Sequence, residues 1–196
     1  GALPLRRESG ALAAVGVCTH GAVRDRDAGV QPAGLGHDLE LTAGLFLSPT
    51  GPESMAIREN WTWSRSNLFF GLPFYHTGAR GTFPINDSWS TTVAVYNGWN
   101  SVVDNNDDKS VSVQLAYTAP DELSASLLYF GGVERPEGAP EGSPWRHLFD
   151  AHATWNVTPK FSLLGHTDAG FEENEFGTSS WTAGALAARL QAHPKI

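Results

Sequence analysis

The 196 residues are enough for one large all-β domain or two small ones; 41% are hydrophobic, with 21 Gly and 7 Trp. The formal net charge of −8 argues against a nucleic-acid partner, which calls for clustered Lys and Arg, and the single Cys18 excludes an intramolecular disulfide framework and any cysteine-based zinc cluster. No run of about 20 apolar residues offers a transmembrane helix, but closed barrels also satisfy every backbone group in lipid, so a membrane β-barrel stays open.

Residues 1–37 show no clear period: an apolar stretch at 11–17 is followed by Arg24-Asp25-Arg26-Asp27 and a Gly/Pro-rich tail, and the segment is expected to be irregular. The chain starts at Gly1 without a signal-peptide pattern, as expected if a leader has been removed or if this is a piece of something longer. From residue 38 to 191 the pattern is that of strands, with a short tail at 192–196. Leu39, Leu41, Ala43, Leu45 and Leu47 alternate with Glu40, Thr42, Gly44 and Phe46. Residues 49–74 are too long for an ordinary connection and hold Trp61, Trp63, Leu68, Phe69, Phe70 and Phe74. So aromatic a segment is expected to fold onto or into something.

Strands follow at 75–83 and 89–99. The clearest hairpin spans 109–132, with Val111, Val113, Leu115 and Tyr117 on one face and Ser110, Ser112, Gln114 and Ala116 on the other. It turns at Ala119-Pro120-Asp121-Glu122 and returns with Leu123, Ala125, Leu127 and Tyr129 opposite Ser124, Ser126, Leu128 and Phe130. Strands at 147–156 and 161–171 repeat the pattern around Thr158-Pro159-Lys160. A last, Ala-rich strand covers 181–190, its facing ambiguous because Arg189 falls on the apolar parity.

Two regularities go beyond a generic β protein. Connections alternate between short turns, near Asn86, Asp121 and Pro159, and long links, near Trp61, Asp104, Gly138 and Glu175; outer-membrane barrels have this asymmetry. The aromatics of the apolar faces sit at strand ends. Phe83, Trp89, Tyr117, Trp155 and Phe161 mark the short-turn end, and Tyr75, Trp99, Tyr129, Phe149, Phe171 and Trp181 the long-loop end. Tyr and Trp favour a membrane–water boundary because a flat apolar ring carries a polar handle. The expected fold is an antiparallel up-and-down transmembrane β-barrel with about eight meander strands visible.

The stretch Asn60-Trp61-Thr62-Trp63-Ser64-Arg65-Ser66-Asn67-Leu68-Phe69-Phe70-Gly71-Leu72-Pro73-Phe74-Tyr75-His76-Thr77-Gly78, with Val95-Tyr96-Asn97-Gly98-Trp99-Asn100 and Leu128-Tyr129-Phe130-Gly131-Gly132, resembles the OmpL-like β-barrel porins of Gram-negative bacteria. The resemblance covers about residues 39–190. It implies a pore-forming barrel of the outer membrane with more strands than are visible here, and it brings no catalytic residues. The ending Ala192-His193-Pro194-Lys195-Ile196 lacks the closing aromatic strand such barrels usually have, so a truncated, incomplete barrel is expected.

The polar faces collect Glu40, His76, Arg80, Gln114, Asp150, His152, His166 and Asp168, which in a barrel line the lumen and set ion preference. A sharper reading pairs Asp150/His152 with His166/Asp168 on neighbouring strands, as a divalent-metal site or the orienting half of a lipase-like site. No Gly-x-Ser-x-Gly elbow or His-Glu-x-x-His accompanies them, so pore-wall residues are the preferred reading and no cofactor or catalytic role is expected. Asp104-Asn105-Asn106-Asp107-Asp108 lacks the spacing of a calcium loop, and Glu134, Glu137 and Glu141 read as exposed loop charge. The expected function is passive diffusion of small hydrophilic solutes across the outer membrane, with membrane lipid and those solutes as partners and an open oligomeric state. A soluble carbohydrate-binding β-sandwich and an outer-membrane hydrolase are the alternatives.

Overall fold

The computed structural model describes residues 39–192, so the expectation for 1–37 and most of the short C-terminal tail lie outside the described residues. Eight strands form one antiparallel sheet in sequence order: β1 (Glu40–Leu47), β2 (Tyr75–Pro84), β3 (Trp89–Tyr96), β4 (Ser110–Ala119), β5 (Leu123–Val133), β6 (Trp145–Thr158), β7 (Phe161–Asn174) and β8 (Gly177–Leu190). Each pairs only with its chain neighbours, so the meander is open, and β1 and β8 are its edges among the described residues. One short helix, α1 (Asn67–Phe70), and a 3₁₀ turn (Ile57–Glu59) lie between β1 and β2. No described helix is long and apolar enough to cross a membrane.

The short turns are fixed locally. Asn86 Oδ1 accepts hydrogen bonds from the Ser88 and Trp89 N–H groups at 2.9 and 3.0 Å. Asp121 sits at φ 60, a left-handed conformation that Asp tolerates, and the Glu122 N–H donates to the Ala119 carbonyl at 3.2 Å. Thr158 Oγ1 accepts from the Lys160 and Phe161 N–H groups at 3.3 and 3.0 Å. These turns set the register, and the register sets which parity faces which way.

The two faces differ sharply. Leu127 is 56% exposed and Val113 48%, whereas the adjacent-parity Leu128 and Leu148 are 1% and 0% exposed. The apolar parity (Leu41, Leu45, Val93, Val95, Leu115, Leu163) is therefore the uncovered one. The sandwich alternative needs a second sheet on this face, and none lies there among the described residues. The opposite parity is concave: His76 of β2 and Phe130 of β5 bring their rings to 5.4 Å although β3 and β4 lie between them. Strands spaced about 4.8 Å apart would hold those positions roughly 14 Å apart in a flat sheet, so curvature together with long side chains closes the gap.

Four details differ from the sequence reading. The link expected near Glu175 is a tight turn: β7 runs to Asn174 and β8 starts at Gly177, which has φ +124. Strand β3 stops at Tyr96, because Gly98 at φ 132 and Asn100 at φ 57 leave extended geometry, and Trp99 falls in the loop. Trp181 faces the concave side, paired with Gly170, and so belongs to no outer aromatic ring. Arg189 lies on that same concave parity, opposite Ser162, which resolves the facing of β8.

Candidate functional site

The concave face carries all eight expected residues, but in unequal settings. Glu40 is exposed at the short-turn end of β1. Arg80 lies over the Phe46 ring, with its Cζ at 4.7 Å from the centroid. Gln114 Nε2 donates to Ser126 Oγ at 2.8 Å. His76 is fully buried: its Nδ1 lies 3.1 Å from the Gly98 carbonyl, its Nε2 3.0 Å from Ser48 Oγ, and its ring stacks on Tyr96 at 4.2 Å.

Asp150, His152, His166 and Asp168 do come together. Asp150 opposes Asp168 and His152 opposes His166 in the β6–β7 register. His166 Nε2 lies 2.7 Å from Asp150 Oδ2, and His152 Nδ1 lies 3.3 Å from Asp150 Oδ1. The third partner is not legible in strand alternation: the Gly51 N–H, 99 positions away, donates to Asp150 Oδ1 at 3.1 Å. Both carboxylate oxygens are thus occupied by protein donors. Among the described residues no group of three or more His, Cys, Asp or Glu is arranged to hold a metal ion.

Gly51 belongs to the long aromatic segment, which lies against the concave face. Its ends are held by the Ser48 N–H bond to the Phe74 carbonyl at 3.0 Å and by Asn100 Oδ1, which accepts from the Phe74 and Tyr75 N–H groups at 2.6 and 3.3 Å. Within it, Asn60 clamps both backbone groups of Ser54, at 2.7 and 3.1 Å, and Glu53 binds the Ser66 N–H at 2.8 Å while Ser66 caps α1. Gly51 has φ +70, and a Cβ there would stand 3.2 Å from His166 Cε1 and 3.1 Å from Leu72 Cδ1. Leu72 joins Phe46, Ala94, Tyr96, Leu128, Phe130 and Leu148 in one buried cluster. At the far edge Trp61 meets Arg189, with Cζ at 4.6 Å from the ring centroid. Strand alternation assigned Leu128, Phe130 and Leu148 to this face, but gave no sign that they form a seat for the segment.

A second cluster sits at the long-link end. Glu172, its side chain 2% exposed, accepts from Arg135 Nε and Nη2 at 2.9 and 2.7 Å and from Arg146 Nε and Nη2 at 3.0 and 2.9 Å. Arg135 Nη1 also reaches Glu141 at 3.1 Å, and Glu172 holds the Arg135 guanidinium above its ordinary range. Glu134 is not a free loop charge either. It accepts from Ser110 Oγ and from the Trp99 N–H, each at 2.6 Å; burial pushes its carboxyl up, against the pull of those hydrogen bonds. Glu137 alone of the three glutamates is exposed, and Asp104 pairs with Lys109. The sequence carried one signal for this cluster: counting the Asp150–Asp168 register four residues outward reaches Arg146 and Glu172.

A meander sheet with an uncovered apolar face, and a concave face on which buried polar groups and an apolar cluster hold a long segment, is the architecture of a membrane β-barrel wall. The profile of the family described as "Putative beta-barrel porin-2, OmpL-like" matches residues 29–196, and the chain belongs to this family of porins. Comparison with curated proteins and with solved structures finds no match.

Proposed function

We propose that the eight strands form a sector of the wall of a general diffusion pore for small hydrophilic solutes, and that residues 48–74 form its constriction. The observation that carries this reading is the Gly51–Asp150 bond, which ties the first long segment to β6 across the concave face while the apolar parity stays uncovered. Glu40, His76, Arg80, Gln114, Asp150, His152, His166 and Asp168 are then wall residues, with Asp150 and His166 also holding the constriction.

The size of the pore follows from the same segment. In a closed eight-stranded barrel the interior is filled by the wall's own side chains. A folded segment with its own helix needs more room, which argues for a larger barrel. The edges of β1 and β8 left unpaired among the described residues argue likewise, because unpaired backbone groups in lipid cost several kcal/mol each. Further strands would therefore flank β1 and β8.

Single-channel recording in planar bilayers tests the proposal. Removal of residues 52–71, bridged by a short Gly/Ser linker, is expected to raise conductance severalfold. An unchanged conductance in a variant that still inserts would remove the segment from the permeation path.

A further inference from the structure

The long-link cluster borders an open-mouthed cavity of about 300 Å³, lined by Trp99, Arg135, Arg146, Glu172, Ser179 and Trp181 together with Gly71 of the long segment. It lies on the concave side, one side-chain row beyond the Leu128–Phe130–Leu148 seat. Two indoles, two guanidinia and a carboxylate around one space form an unusual combination for a solvated rim.

Each element is held in place. Trp181 lies across Gly170 of β7: a Cβ added there would stand 2.1, 2.4 and 2.6 Å from three atoms of the indole, so only glycine lets the ring rest on the sheet. The Trp99 backbone N–H donates to Glu134, the ring makes edge contact with Phe130 at 5.7 Å, and Arg146 reaches over it with Cζ at 5.5 Å from the centroid. Glu172 orients both guanidinia through four hydrogen bonds. Arg146 commits Nε and Nη2 to that carboxylate, and its Nη1 makes no hydrogen bond among the described residues.

The charges largely cancel. Glu172 and Glu141 offset Arg135 and Arg146, and Glu134 adds further negative charge nearby. An anionic solute would compete with Glu172 for guanidinia that are already bound. A neutral polyol would not: its hydroxyls can accept from the Arg146 Nη1 edge and donate to the exposed Ser179 hydroxyl, while an apolar C–H face lies on an indole. A pyranose ring has this two-sided character, and the cavity is near the lower limit of small-molecule sites.

We propose that this cavity is a binding site for a neutral saccharide at the loop-side entrance of the concave face. Its placement in a permeation path rests on the pore reading; binding itself does not. The test is saturation-transfer difference NMR on the full chain in detergent micelles, with maltose as probe and gluconate as its anionic counterpart. Saturable transfer to the maltose ring C–H protons is expected, with little competition from gluconate. Trp181→Ala is expected to weaken binding about tenfold, or roughly 1.4 kcal/mol. Gly170→Ala, which displaces the indole without removing it, is expected to do the same, with heat-modifiable migration confirming that both variants fold. Absence of saturable maltose transfer in the parent chain, equal transfer in the folded variants, or preference for gluconate would overturn the proposal. A chain that binds maltose but conducts nothing would keep this site and lose the pore; a conducting chain that does not bind would do the reverse.

Discussion

Asp150 shows how far a single side chain organises this protein. A fully buried carboxylate is tolerated only when its oxygens are satisfied, and here two histidines and one backbone N–H supply the donors. Removing the carboxylate strands the Gly51 N–H and the His166 ring, a loss of about 1–3 kcal/mol per unsatisfied buried group. Asp150→Ala is expected to free the long segment, seen as faster protease cleavage within 52–66 while the heat-modifiable shift of the sheet persists; unchanged cleavage would show that Asp150 does not hold it. At Gly51 the left-handed φ and the nearness of His166 act together, so Gly51→Val should produce the same phenotype. Arg80→Glu is expected to move the reversal potential toward cation preference in a salt gradient, and an identical potential would place Arg80 away from the ion path. Glu134 offers a pH test. Its folded pKa is raised by burial, so its contribution to stability is present below the unfolded pKa and lost as pH rises through the folded value. Melting followed by tryptophan fluorescence from about pH 4 to about pH 7 should therefore show a smaller fall for Glu134→Gln than for the parent. Strand parity made the Asp150–His166 neighbourhood legible, since both strands put these residues on the polar face, although the register shift between Asn156 and Thr158 hid their exact pairing. The Gly51 contact was not legible, because nothing local couples positions 99 apart.

At the scale of elements, alternation identified every strand, because water on one side and hydrocarbon on the other impose period two wherever the sheet crosses lipid. The errors fall where that constraint lapses. Strands β6, β7 and β8 have 14 residues each. At about 3.3 Å per residue and a tilt near 40° that is a rise of roughly 35 Å, more than an apolar band of about 25 Å. The excess lies at the long-link end, where Glu172-Glu173-Asn174 and Thr178-Ser179-Ser180 are polar on both parities. A strand standing in water on both sides has no reason to alternate, and so this tight turn read as a long loop. Trp181 was misplaced for a related reason. In β8 most residues of both parities are small, and the one sign that Trp181 faces inward, Arg189 on its parity with Leu186 and Leu190 on the other, was weaker than the expectation that an indole marks a membrane girdle. The remaining outer aromatics keep their positions. Trp89 packs on Tyr117 at 4.8 Å near the short turns, and Tyr129 on Phe149 at 5.2 Å toward the other end.

For the molecule as a whole, one arrangement explains both faces. Large apolar side chains of one parity are uncovered, while on the other side buried charges share the space under the long segment with a buried apolar cluster. Lipid on the convex face accounts for the first, and the protein donors around Asp150 and Glu172 account for the second. Nitroxide scanning of residues 111–118 on a Cys18→Ser background, reconstituted in bilayers, measures this directly through collision with oxygen, which partitions into lipid, and with a water-soluble nickel chelate. Labels at 111, 113, 115 and 117 are expected to favour oxygen, those at 114, 116 and 118 the chelate, and the label at 112, which replaces a buried serine, neither. The opposite phase, or accessibility with no period of two, would contradict the account.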